Sequence, residues 1–198
     1  MNNWIPYPLE LRGENILLKS YGETDLDDLL CIAADKRIWE YYAVDGSDTG
    51  KLKHSFLTAI EERNKNLQYP FVIVDKHTKQ VIGSTRFLDL QPQHKKLEIG
   101  WTWLHPSYWG TPVNPECKLL LLSYCFEVLN TYRVQLKTDV LNIRSRTAIE
   151  KIGAKFEGIF RNDMVRDNNT KRDSAYYSIT NEEWEAVKSE LLRQLFKR

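Results

Sequence analysis

The chain has 198 residues, 42% hydrophobic and 12% aromatic, with 28 Lys and Arg set against 27 Asp and Glu. That composition supports one sizeable core and excludes a disordered tail or a fibrous protein. The near-zero net charge argues against a dedicated nucleic-acid binder, DNA included, and no apolar run approaches the roughly 20 residues of a membrane span. Residues 1–8 have neither a basic start nor an apolar stretch, which predicts a cytoplasmic chain without a secretory signal. After this extended, Pro-containing arm, 16–21 reads as a strand, and Thr24 with Asp25 and Asp27 opens a helix running to about residue 34. A second helix follows the break at 45–48, with Leu52, Phe56, Ala59 and Ile60 at helical spacing. The period then changes to two: strand 71–75, turn 76–79, strand 81–88 and strand 97–104 form an antiparallel meander.

Strand 97–104 leads through an irregular loop to a helix at about 114–129, capped by Asn114 with Pro115 in its first turn, and then to strand 134–138. This is a βαβ unit, whose crossover is right-handed. A helix over 143–152 ends at Gly153, a hairpin pairs 154–166 with 174–179, and a last helix at about 181–196 is capped by Thr180 with Glu183. The reading is a single α/β (α+β) domain over 1–198, its core about 10–180, with a mixed sheet. No repeat, dinucleotide fingerprint or phosphate-loop motif is present. Cys31, Cys117 and Cys125 cannot all pair and read as reduced core thiols. His54, His77, His94 and His105 sit singly, so no metal is expected.

Two segments carry candidate chemistry. A helix N-terminus after an irregular loop offers unpaired N–H groups and a positive dipole end, so 109–114 suits a pyrophosphate, with Arg144, Arg146 and Lys151 near in sequence for a further phosphate. The same residues also read as ordinary capping and solvated charge. In strand 97–104, Leu97, Ile99, Trp101 and Trp103 alternate with Glu98, Gly100 and Thr102, predicting one apolar and one polar face. Glu98 is then either a general base or an exposed strand carboxylate.

The order of elements, together with Val81-Ile82-Gly83-Ser84, Glu98 through Pro106, Trp109-Gly110-Thr111, Asn142-Ile143-Arg144-Ser145 and Glu150 through Gly158, resembles the GNAT superfamily of acyl-CoA N-acyltransferases. The likeness is greatest to its Rim-type branch of ribosomal-protein N-terminal acetyltransferases, and it covers roughly residues 10–180. It implies an acetyl-CoA-dependent N-acetyltransferase that transfers acetyl directly to a primary amine. It also implies that strands 97–104 and 134–138 splay apart, with Trp101, Thr102 and Trp103 beside pantetheine and backbone N–H groups polarising the thioester, each such donor being worth about 3 kcal/mol. By the same likeness Trp109, Gly110, Thr111, Val113 and Asn114 cradle the pyrophosphate, Asn142 anchors pantetheine, Arg144 and Lys151 take the remaining phosphate, Glu98 is the base and Ser145 the acid or thiolate stabiliser.

The chain departs from the family pattern at two places. The loop pattern, arginine or glutamine-x-x-glycine-x-glycine or alanine, meets Trp109, Pro112 and Asn114, so one amide donor is lost and cofactor binding should weaken. The tyrosine acid that many members carry falls at Ile149. Trp39, Tyr41 and Tyr42, followed by Asp45 and Asp48, suggest an aromatic, acidic acceptor mouth or else a buried cluster with a solvated loop. Freeing an α-amine near neutral pH costs about 1 kcal/mol, against nearly 5 for a lysine, which favours a peptide N-terminus or small amine. The sequence is compatible with a homodimer. The rival expectation, raised by Pro112 and Ile149, is a non-catalytic coenzyme A-binding or interaction module, and an RNA-binding role through Arg144, Arg146 and Lys151 is disfavoured by charge.

Overall fold

The computed structural model describes residues 3–196. Its strands are β1 (Glu10–Arg12), β2 (Ile16–Ser20), β3 (Tyr69–Asp75), β4 (Val81–Gln91), β5 (Lys96–Leu104), β6 (Arg133–Asp139), β7 (Lys155–Val165) and β8 (Lys171–Thr180). Its α-helices are α1 (Leu26–Ala33), α2 (Thr49–Asn64), α3 (Val113–Ser123), α4 (Ile143–Lys151) and α5 (Trp184–Phe196). The strands form one sheet in the order β1-β2-β3-β4-β5-β6-β8-β7, antiparallel throughout except for the parallel pair β5 and β6. The antiparallel meander and the βαβ unit are both present. β1 is a strand within the arm, too short and too Pro-flanked to show a period-two pattern.

Successive residues of β3 go to opposite faces, and Phe71, Val72 and Ile73 are all buried, so both faces of the sheet are covered. Phe71, Ile73, Phe87, Leu97 and Ile99 pack with Cys117 and Leu121 of α3 and Trp184 of α5. Val72 and Trp103 pack on the other face with Leu29 of α1 and Leu52 and Phe56 of α2. Cys117 and Cys125 lie in the first core, where burial pushes the Cys117 thiol up to about 11, but Cys31 is exposed and is not a core thiol.

Two helix starts differ from the sequence reading. α1 is preceded by a 3-10 turn over Glu23–Asp25, and Asp25, not Thr24, holds the entry by accepting from the Gly22 N–H at 3.0 Å and Lys19 Nζ at 2.7 Å. α3 begins at Val113 with Pro112 as its N-cap, so Asn114 lies inside the first turn and does not cap it. Pro112 sits at φ −62°, which a proline ring supplies without strain, and Pro115 has no N–H that the first turn would leave orphaned. α3 runs on through a π-turn at Tyr124–Val128. Glu183 does reach back to the Thr180 N–H at 2.8 Å before α5.

Candidate active site

β5 and β6 pair at only three positions, the last being Glu98 with Gln135. Beyond it β5 continues to Leu104 held by β4, and β6 continues to Asp139 held by β8. The two strands therefore diverge, each stitched to its outer neighbour, and a cavity of about 560 Å³ opens between them. The expected splay is there, with Glu98 at its apex.

The alternation expected along β5 fails, for a local reason. Ser84 pairs with Trp103 but Arg86 with Gly100, so β5 carries one extra residue, and Trp101 takes φ +49°. This β-bulge shifts the phase by one. Leu97, Ile99 and Leu104 stay in the α3-side core, whereas Trp103 and Trp101 join the α1 and α2 side. Thr102 takes the α3 side, accepting from Lys118 Nζ at 2.6 Å and lying 2.7 Å from the Thr85 hydroxyl. A positive φ at a tryptophan costs about 1–3 kcal/mol. Packing holds it in place: Trp101 lies 5.8 Å from Tyr42, 6.3 Å from Trp39 and 4.2 Å beneath the Arg86 guanidinium.

Glu98 is 3% exposed, not a surface strand carboxylate. Gln135 Nε2 donates to its Oε2 at 2.8 Å, and Lys137 Nζ lies 3.6 Å from the same oxygen. Burial raises its pKa, and the Lys137 charge and the Gln135 and Lys137 hydrogen bonds only partly oppose that. Oε1 lies over Gly100, where a Cβ would come within 2.9 Å of it. The glycine leaves that oxygen room to face the cavity.

On the other side of the wedge two helix starts meet. Gly110, Asn114, Asn142, Arg144 and Ser145 all line the cavity. The Gly110 and Asn114 N–H groups have no backbone acceptor among the described residues, and Gly110 takes φ +73°, which favours glycine. Arg144 lies 3.6 Å over the Trp109 ring, whose Nε1 donates to the Leu104 carbonyl at 3.0 Å. A cation thus stands beside the tryptophan that occupies the loop's usual arginine or glutamine position. Asn142 caps α4 by accepting from the Ser145 N–H at 2.9 Å.

Of the thirteen site residues that the family likeness implies, ten line the cavity: Glu98, Trp101, Thr102, Trp103, Trp109, Gly110, Asn114, Asn142, Arg144 and Ser145; Arg146, proposed for its charge alone, does not line it and donates to the Tyr177 hydroxyl at 3.0 Å. Three of the thirteen do not. Thr111 turns its hydroxyl to the Tyr108 carbonyl at 2.7 Å, Val113 is packed in the core with its N–H 3.4 Å from that hydroxyl, and Lys151 is exposed at the far end of α4 from Arg144. Lys151 is seven positions along the helix from Arg144, a rise of about 10 Å. The aromatic and acidic residues of the expected mouth divide: Tyr41 and Tyr42 line the cavity, Asp48 caps α2, and Asp45, which accepts from Ser47, lines a second surface hollow with Trp39 and Tyr42. The Tyr42 hydroxyl donates to the Thr102 carbonyl at 2.6 Å.

Sequence reasoning missed Arg86, Lys118 and Arg172, which line the same cavity. Lys118 carried a signal, a cation directly before the apolar run 119–122, and Arg86 a weaker one, a cation directly before Phe87 and Leu88 in a strand. Arg172, near the start of β8, carried none.

The family model for an acetyltransferase (GNAT) domain matches residues 15–155. YdaF of Bacillus subtilis (strain 168), provisionally named a ribosomal N-acetyltransferase, is 34% identical over 106 residues, 54% of this chain and 57% of YdaF. A protein from T. thermophilus, provisionally named an acetyltransferase, has a crystal structure similar at TM-score 0.86 and 30% identity, covering 97% of this chain and 100% of that one. The fold also matches Mycobacterium smegmatis RimJ in complex with CoA-disulfide, at TM-score 0.80 and 18% identity over 95% of each chain. Among the described residues no helix is long and apolar enough to cross a membrane.

Proposed function

The chain belongs to the GNAT acetyltransferases, and on that premise we propose that it uses acetyl-CoA to acetylate a primary amine, an α-amino group in preference to a lysine side chain. The observation that carries this reading is the wedge itself: pairing stops at Glu98, so a buried carboxylate stands where two strands part over a cavity lined by two helix N-termini. The donor set suits the cosubstrate. The Gly110 and Asn114 amides and the Arg144 guanidinium meet the phosphates, and the unpaired backbone of β5 past its bulge meets the pantetheine chain.

Bound acetyl-CoA supplies an activated acyl group. Within the wedge, Glu98 accepts a proton from the incoming ammonium at Oε1, directly or through water, while Gln135 and Lys137 hold Oε2 in place. Its raised pKa brings it nearer that of the amine, which eases the transfer. Amides of β5 favour the charge that develops on the thioester oxygen. Ser145, in the first turn of α4, stabilises the departing thiolate with its hydroxyl and the positive helix end. The similarity to YdaF, provisionally named a ribosomal N-acetyltransferase, supports a protein amine as one acceptor class.

Thiol release from acetyl-CoA over a panel of amines tests this. Turnover should fall about 100-fold in Glu98→Gln while calorimetry gives an unchanged acetyl-CoA affinity. Binding of acetyl-CoA with no thiol release from any amine would overturn transfer in favour of a binding module, and an unchanged rate in Glu98→Gln would remove Glu98 from the mechanism.

A further inference from the structure

The charged side chains lining the cavity are Arg86, Lys118, Lys137, Arg144 and Arg172 against Glu98 alone. Such a lining is a poor receptor for a polyamine or any polycation. Lys137 is set against Glu98, Lys118 is tied to Thr102, and Arg144 lies beside the α3 entrance on Trp109. The two cations left, Arg86 and Arg172, come from β4 and β8.

Both are at least nine-tenths buried, at 6% and 8% exposure, and neither has a carboxylate to itself. Arg86 reaches only neutral acceptors, Gln68 Oε1 at 3.3 Å and Ser55 Oγ at 3.0 Å and its carbonyl at 3.5 Å, and its Nε has no partner among the described residues. The Arg172 Nε lies 3.8 Å from Asp139 Oδ2, too far for a hydrogen bond, and Arg166 already takes that oxygen in a short charged contact. Asp139 is thus shared by Arg166 and Arg172, and Asp163 near Arg172 and Glu62 near Arg86 act on them only through space, without a hydrogen bond to either guanidinium. Arg172 and Arg86 line the same cavity as Tyr42 and Trp101, with Arg86 lying 4.2 Å over the Trp101 ring.

A buried guanidinium with no carboxylate at hydrogen-bond distance is incompletely compensated, and a ligand carboxylate can supply the missing bonds. Resting on the transfer proposed above, we infer that the acceptor is an amine that also bears a carboxylate, held by Arg86 and Arg172 while its amino group faces Glu98. The carboxylate belongs either to a free amino acid or to an acidic first residue of a peptide. In both cases a bidentate grip on it orients the amine.

The test is thiol release by the full chain with two matched pairs: glutamate against glutaminamide, and glutamyl-alanyl-alanine amide against glutaminyl-alanyl-alanine amide, with spermidine as the cationic control. At least one acidic member should exceed its neutral partner tenfold or more in kcat/KM, and the pair that does so identifies the source. In Arg172→Gln that preference should collapse through KM. Arg86→Gln should do the same, and because Arg86 also braces Gln68 and Ser55 its melting curve is checked first; the comparison on the unaltered chain does not depend on either variant. Neutral or cationic amines used equally well would overturn the inference and leave acetyl transfer standing. If no amine releases thiol although acetyl-CoA binds, transfer fails, and calorimetry of glutamate on the coenzyme A-loaded protein decides: heat that is lost in Arg172→Gln keeps the anion site, and no heat removes it.

Discussion

Burial of the Glu98 carboxylate beside Gln135 and Lys137 raises its pKa, so between the ordinary carboxylate range and that raised value the folded chain keeps a proton the unfolded chain has lost. Stability therefore falls as pH rises through that window and stays lower above it. Replacing the group by a neutral isostere removes the penalty. Glu98→Gln should melt higher than the unaltered chain at about pH 8, and the difference should shrink below the ordinary carboxylate range, where the carboxyl is protonated in both states. Thermal denaturation across pH checks the sign. A gain in stability with a loss of turnover is the pattern of a residue kept for chemistry. Gly100 bears on the same carboxylate from below. A Cβ there would meet Glu98 Oε1 and Leu88 Cδ1, both at 2.9 Å and both ends of movable side chains. Gly100→Ala should thus fold normally but push Glu98 aside, lowering kcat by about tenfold to a hundredfold with the melting point nearly unchanged. A variant with full activity would mean that the position of Oε1 does not matter.

At the entrance of α3, Pro112 preorganises the turn but contributes no N–H to an anion. Pro112→Gly would add one donor, and a hydrogen bond to a charged group is worth about 1.5 kcal/mol or more, close to tenfold in acetyl-CoA affinity. The same change frees the unfolded backbone at a cost of about 1 kcal/mol, or about 2–4 °C in Tm. Calorimetry and melting should therefore move in opposite directions, tighter binding with lower stability. The sequence shows this loop's departure plainly, because proline and glycine have local consequences. It shows α4 and Gly153 for the same reason, as capping and periodicity are local. The bulge in β5 is a different matter. Strict alternation from Leu97 to Trp103 reads as a regular strand, and only the pairing with β4 reveals the extra residue that turns Trp101 and Trp103 to the face of α1 and α2. Nor does spacing reveal that Glu98 is buried or that Arg172 reaches the cavity, since both depend on strands that are neighbours only in the folded sheet. Lys151, close to Arg144 in sequence, lies about 10 Å further along α4 and does not line the cavity.

Across the whole sheet, the wedge persists because each of its walls has a better partner elsewhere. β6 is paired with β8 from Arg133 to Asp139 without a break, and β5 is held to β4 at both ends of its bulge. A bulged strand bends and twists more sharply than its neighbours, which carries β5 away from β6 just beyond Glu98. The facing edges are left with backbone groups that nothing in the described chain pairs between these strands, and such edges open easily to solvent. Without ligand, the amides of residues 100–104 and 136–139 not bonded to β4 or β8 should exchange their hydrogens much faster than those of β3. Acetyl-CoA laid between the edges should slow them selectively and leave β7, on the far side of β8, unchanged. At a concentration about 100 times Kd it should also stabilise the fold by about 2.7 kcal/mol, raising Tm by about 5–10 °C. Protection spread evenly over the sheet would indicate general tightening and not occupation of the wedge. Slow exchange along these edges before any ligand is added would mean that the strands are already closed, and the site would have to lie elsewhere.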